Sequence, residues 1–289
     1  MKRTCFFLLV VMYLCSAESS LAQESPFFVT YNHHLEDSGD LELGVSSTIG
    51  VPRSEQRAYF APYSEVEYGV TRWWTSELYL EGQSTSGQGN VFTGWRLENR
   101  FRPLVAEHAV NPVLYLEYEN INEASRIEKE IVGKAPLDNQ SNAELSQNHA
   151  HELEGKLILS SNLGQWNVAE NFIAERNLTA NEGFEFGYAF GVSHPLATDD
   201  SMIACRFCPQ NFVAGMEFYG GLGSSLSFGL QETAHYAAPV FSWRVSNHSW
   251  IQFSAAAGLT RNSNPVLLRV GYRYEIEDFG KKIAAFMRN

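Results

Sequence analysis

Beyond its first 22 residues the sequence holds no uncharged apolar run of ~18 residues, so no later segment can cross a bilayer as a helix. Positive charge is scarce: 21 Lys and Arg stand against 33 Asp and Glu, a formal net charge of −12. A chain this acidic repels phosphate backbones, which excludes nucleic acid as a partner. Helical periodicity is scarce too, and its longest stretch is the piece near Ala124–Lys134. The Gly-x-Ser-x-Gly phrase of one large hydrolase class is absent. Gly220-Gly221-Leu222-Gly223 is no phosphate cradle, because no helix follows it. Cysteine is rare: Cys5 and Cys15 lie near the start, and only Cys205 and Cys208 occur later, in Cys-Arg-Phe-Cys. No His follows the pair, which excludes haem attachment, and Pro209 stands where a redox motif would open a helix. His194 is the one nearby further ligand, so no metal is expected. A loop disulfide in an oxidising compartment is the expectation.

Residues 1–22 read as a secretory leader. Lys2 and Arg3 form the basic start, and Cys5–Leu14 form an apolar core too short to span as a helix. Ser20-Leu21-Ala22 places the cut before Gln23. A lipid-modified Cys15 is the alternative, disfavoured by the bulk of Leu14 before it. The expected division is a leader over 1–22, a lead-in over 23–39, a β-barrel over 40–280 and a tail over 281–289.

Period-2 alternation dominates the rest. Val91–Arg102 sets Val91, Thr93, Trp95, Leu97, Asn99 and Phe101 on one parity and Phe92, Gly94, Arg96, Glu98, Arg100 and Arg102 on the other. Strand geometry sends these to opposite faces, one largely apolar and one charged. The same split recurs in Tyr59–Val70, Trp74–Gln83, Val113–Glu119, Glu152–Ser160, Phe184–Val192 and Val266–Ile276. Weaker members are Leu41–Gly50, Trp166–Asn177, Phe212–Leu222, Tyr236–Ser246 and Ser249–Leu259, which makes twelve. Phe27–Tyr31 either adds a short pairing or leads in. Tight connections near Thr71-Arg72, Asn162–Gln165 and Asn247-His248 alternate with longer ones, above all Ile121–His151. With both termini periplasmic, that long loop lies outside, whereas the cysteine loop 195–210 falls awkwardly on the short-turn side.

Alternation does not say which face is wet. Three features favour lipid over a soluble barrel: the leader, the aromatics Tyr68, Trp73, Trp74, Trp166 and Trp250 beside tight turns, and the order of the charges. Glu65, Glu67, Glu77 and Glu81 are followed by Arg96, Arg100 and Arg102, then by Glu117, Glu119, Glu152 and Glu154. Neighbouring strands lie ~5 Å apart, so such columns can pair across strands. In lipid every backbone group needs a partner, so the sheet must close. The fold class expected is all-β: a closed antiparallel transmembrane up-and-down barrel of about twelve strands.

The chain thereby resembles the uncharacterised, porin-like outer-membrane β-barrels of proteobacterial type. The resemblance rests on Glu67-Tyr68-Gly69-Val70-Thr71-Arg72-Trp73, a strand–turn–strand phrase of such barrels, and on the tyrosine-rich last strand. It covers most of residues 40–276. It implies a passive channel for small solutes in a Gram-negative outer membrane, with outer-membrane lipid and the barrel-assembly machinery as partners. One departure is the tail Glu277–Asn289, which replaces a terminal aromatic and carries Phe279 and Phe286 inside it.

The expected lumen-lining residues are Glu65, Glu67, Glu77, Glu81, Arg96, Glu98, Arg100, Arg102, Glu117, Glu119, Arg269 and Arg273. Two readings of them stay open. They form a selectivity lining with a transverse field, or they neutralise one another inside a filled, narrow barrel. Loop 121–151 can also fold inward and constrict the pore. No cofactor and no catalytic residue are expected. The alternatives in function are a lipid hydrolase or deacylase at the rim, using His149, His151 and His235, and a non-conducting accessory barrel.

Overall fold

The computed structural model describes residues 25–53, 57–127, 141–180, 183–197, 205–230 and 232–287. The expected leader lies outside the described residues. The strands are β1 (Leu41–Val51), β2 (Tyr59–Thr71), β3 (Trp74–Thr85), β4 (Asn90–Phe101), β5 (Asn111–Asn122), β6 (His149–Leu163), β7 (Trp166–Asn177), β8 (Glu185–Pro195), β9 (Phe212–Ser224), β10 (Ser227–Phe228), β11 (His235–Ser246), β12 (Ser249–Gly258) and β13 (Val266–Ile276). Among the described residues two α-helices accompany them, α1 (Asn142–Leu145) and α2 (Phe279–Phe286).

Each strand pairs antiparallel with the next in sequence, except that β11 pairs with β9 past β10. β1 joins β13 from Leu41↔Ile276 to Val51↔Val266, which closes the ring. β10 is a two-residue flap on β9, so twelve strands make the barrel. One rim carries the tight turns Thr71–Trp74, Leu163–Trp166 and Ser246–Ser249 together with both ends of the barrel chain. Gly164, at φ +64, supplies the left-handed residue the second turn needs. The same rim also carries the longer connections 102–110 and 196–211. The other rim carries loop 123–148, shorter than the expected 121–151 because β5 and β6 extend into it.

The faces sort by polarity in the inverted sense. Leu114 and Phe172 are 53 % and 52 % exposed on the outside, whereas Glu98 and Glu81 are 0 % and 1 % exposed inside. An outer apolar band around a polar interior suits lipid and would aggregate in water. The parity expected for β4 holds only from Trp95 onward. Glu81 pairs with Gly94 while Gly82 pairs with Phe92, a bulge that leaves Thr93 extra. Gly94, at φ +151, takes the bulge conformation. Above it the faces swap, so Thr93 is buried and Phe92 points out.

Candidate functional site: the lumen and the segment inside it

Phe27–Tyr31 joins no strand. Residues 25–35 run inside the barrel, and the wall holds them by polar contacts. Glu217 on β9 accepts three backbone N–H groups: Val29 at 2.8 Å, Thr30 at 2.7 Å and Phe28 at 3.2 Å. Asn171 on β7 accepts from Tyr31 N at 2.7 Å and donates to Tyr31 O at 2.8 Å, imitating a ladder pair. The Tyr31 hydroxyl donates to Glu98 Oε2 at 2.9 Å. Gln252 on β12 donates to Ser25 O. Small residues make the room: a Cβ on Gly191 of β8 would come within 2.7 Å of the Phe27 ring. Val29 and Phe28 pack on an apolar inner wall that includes Ala61, Ala189, Ala238, Ala256 and Leu267.

Near the turn rim the segment is fastened by His33. Its Nδ1 lies 2.7 Å from Ser160 Oγ and its Nε2 lies 3.0 Å from Glu107 Oε2. Burial pushes the His33 imidazole down to about 4, with Arg102 adding to the effect. His34, whose ring lies tilted against it at 4.2 Å between centroids, is lowered to about 4 by burial as well. This Ser–His–Glu series has the order of a hydrolytic triad, but Ser160 and His33 are both buried, so it clasps the segment rather than facing a substrate.

The opposite wall is charged. Arg96 on β4 bridges Glu81 on β3 and Glu117 on β5, at 2.5 and 2.6 Å. Arg100 on β4 contacts Glu67 on β2 at 2.5 Å, Glu77 on β3 at 3.4 Å and Glu98 at 2.7 Å. Arg273 on β13 joins Glu42 at 3.0 Å and Glu65 at 3.2 Å. Lys156 pairs with Glu154 at 3.0 Å and sits over the Tyr31 and Tyr115 rings. Arg269 donates to the Tyr219 hydroxyl at 2.6 Å. Among the described residues, Glu117, Glu119 and Glu154 bring one carboxylate oxygen each within 4.8 Å of one another, the set that could hold a cation. Arg96 pairs with Glu117, and Lys156 pairs with Glu154.

Eleven of the twelve residues expected to line the lumen point into it. Their side chains lie largely buried among one another and against residues 25–35. Arg102 is the correction. β4 ends at Phe101, and Arg102 turns onto the rim, where it donates to Leu104 O at 2.9 Å and pairs with Glu107 at 3.3 Å. The two histidines expected in the long loop instead lie on β6. Their parity there is outward, and His151 bonds the Tyr118 hydroxyl at 2.7 Å. His235 is buried near the other rim against Thr233 at 2.9 Å and Tyr188 at 3.1 Å. The described start of loop 123–148, residues 123–127, turns inward: Arg126 N donates to Gln83 Oε1 at 2.7 Å, and Ile127 packs on the same apolar wall as Val29. The expected helical piece continues into residues 128–134, which lie outside the described residues. Cys205 and Cys208 are free thiols in a turn closed by Cys208 N to Cys205 O at 3.1 Å.

No family model matches the chain, and no curated protein matches it in sequence. Among solved structures, an outer-membrane channel from Pseudomonas putida F1 is similar, with a TM-score of 0.55 at 12 % identity, covering 84 % of this chain and 98 % of that one. The KdgM porin follows at TM-score 0.47 and 8 % identity, covering 81 % and 98 %. The CymD monoaromatic hydrocarbon channel follows at 0.44 and 9 %, covering 84 % and 90 %. The fold is that of an outer-membrane β-barrel. At these identities the likeness is one of fold, and the lumen has to be read on its own residues.

Proposed function

We propose that this outer-membrane β-barrel is a passive channel for small solutes, closed at rest by its own residues 25–35. The observation that carries the reading is the way the segment is held. Glu217, Asn171, Gln252 and Ser160 hold it by hydrogen bonds, and no sheet ladder does. Such a filling can leave without breaking the barrel, and it would uncover a charged wall. The similar fold of a solved outer-membrane channel supports the reading. In this proposal residues 1–22 are a cleaved leader of a Gram-negative bacterium, the turn rim is periplasmic, and the barrel-assembly machinery inserts the chain into outer-membrane lipid. A second reading, a non-conducting barrel, is favoured by the burial of the whole charge network. Planar-bilayer conductance separates the two. The refolded parent is expected to be mostly closed, and a form lacking residues 25–35 to conduct steadily. A truncated form that shows the heat-modifiable mobility of a folded barrel yet never conducts would establish the second reading.

A further inference from the structure

We propose that α2 is an interfacial anchor that lies on the periplasmic leaflet of the outer membrane and binds anionic phospholipid. None of its residues is buried by the barrel. Phe279, Ile283, Phe286 and Met287 fall at i, i+4, i+7 and i+8, which gathers them on one helix face. Phe286 and Met287 are each 79 % exposed, a cost that an aqueous surface does not explain. Lys281 lies opposite that face and Lys282 flanks it, the arrangement of helices that lie in a membrane interface.

What covers the face follows from where the helix begins. Asp278 takes the left-handed conformation at φ 52 and turns the chain away from the line of β13. Asp278 N then donates to Asp40 Oδ1 at 2.7 Å, and Gly280 N to Gly39 O at 2.9 Å, which ties the first turn to the foot of β1. At that foot the barrel shows its outward aromatics: Tyr272 and Tyr274 on β13 and Trp73 at the neighbouring turn. The apolar face of α2 therefore continues a lipid-facing surface. Lys282, and Lys281 beyond its ion pair with Asp278 at 2.6 Å, complement anionic headgroups.

The test is a spin label at Phe286→Cys in the full chain carrying Cys205→Ser and Cys208→Ser. The protein is refolded into phosphatidylethanolamine vesicles with or without phosphatidylglycerol, and heat-modifiable mobility confirms folding. The label is expected to be accessible to oxygen and shielded from a polar nickel chelate, and a label at Lys281→Cys to show the reverse. Adding Lys281→Glu and Lys282→Glu to the Phe286→Cys chain is expected to remove the shielding in vesicles with phosphatidylglycerol. Equal chelate access at positions 286 and 281 would overturn the proposal. So would shielding that appears only at high protein-to-lipid ratio, which would assign the face to a second copy. Shielding indifferent to both phosphatidylglycerol and the lysines would overturn the headgroup assignment.

Discussion

Replacing Glu217 with Ala is expected to unseat residues 25–35 and leave the ring of strands intact. Its two oxygens accept the N–H groups of Val29 at 2.8 Å, Thr30 at 2.7 Å and Phe28 at 3.2 Å. Bonds to a charged group contribute roughly 1.5–3 kcal/mol each, and the longest of the three contributes least. Two good bonds then hold the segment by about 3–6 kcal/mol, or about a hundredfold to ten-thousandfold in the ratio of seated to released chains. The lower end applies, because removing a buried carboxylate also removes its own desolvation cost. The apolar seating of Phe27, Phe28 and Val29 is untouched. The assay is hydrogen exchange, read by mass spectrometry on the peptide spanning residues 25–40. The Val29 and Thr30 amides should exchange about a hundredfold faster in the variant, and open probability in a planar bilayer should rise with them. Two results would refute the reasoning: parent amides that already exchange at free-peptide rates, or a folded variant whose exchange matches the parent.

Three further perturbations test separate parts of the site. His33 faces Ser160 and Asn162 of β6, Glu107, Arg102 and His34. Burial lowers both imidazoles from 6.5 to about 4, so the seated state favours their neutral form. That stabilisation is complete above the unfolded value and is lost as pH falls from 6.5 toward about 4. Open probability should therefore rise on acidification across that window, and a flat profile would sink the clasp. Arg100→Ala leaves Glu67, Glu77 and Glu98 facing one another without their shared cation, and breaking such a buried network costs about 3–5 kcal/mol. A fall in the urea midpoint of the heat-modifiable band measures it, and Arg100→Lys should rescue little, since Arg100 uses Nε and Nη2 on different carboxylates. Cys205 and Cys208, unbonded here but neighbours in one turn, should oxidise in exported protein, which then becomes lighter by two hydrogens. Uptake of two alkyl groups without prior reduction would argue for free thiols.

The barrel was legible because its signal is repetitive: twelve runs of alternation, each long enough to cross at a tilt, in a chain that offers little else. The ion pairs were legible as columns, since a strand fixes which side chains share a face. Local irregularities were not. The Gly94 bulge inserts one residue and swaps the faces beyond it, which no parity count foresees. Arg102 sits one residue past the end of β4, where parity stops meaning anything. The segment inside the barrel was missed because Phe27–Tyr31 has too few residues to show a period. Its trace was on the far wall instead. The inward parity of β8 reads Gly187, Ala189 and Gly191, small residues that leave space, and the neighbouring β9 carries Glu217, paired with Gly191, with no basic residue on its own strand. Space beside a lone inward carboxylate is a signal that something with donors fills it.

That pairing also sets the sign of what should pass when the segment leaves. Among the described residues, ten buried glutamates (42, 65, 67, 77, 81, 98, 117, 119, 154 and 217) face the buried bases Arg96, Arg100, Arg126, Lys156 and Arg269 and the nearly buried Arg273. Residues 25–35 contain no Asp, Glu, Lys or Arg, and they meet this surplus of acid with main-chain N–H groups and the Tyr31 hydroxyl. A filling that donated less, or carried carboxylates of its own, would be repelled by the same wall. Removing the segment returns its donors to water and leaves the acid surplus to water and counter-ions, so the vacated lumen should concentrate cations. Under a salt gradient, the reversal potential of the form lacking residues 25–35 should therefore have the sign of cation preference. That preference should weaken when Glu217 is neutralised and shrink at high ionic strength, where screening shortens the reach of the wall. An anion-preferring reversal potential would mean that Arg96, Arg100 and Arg273 dominate once the lumen is wet, and that the paired carboxylates contribute nothing to the field.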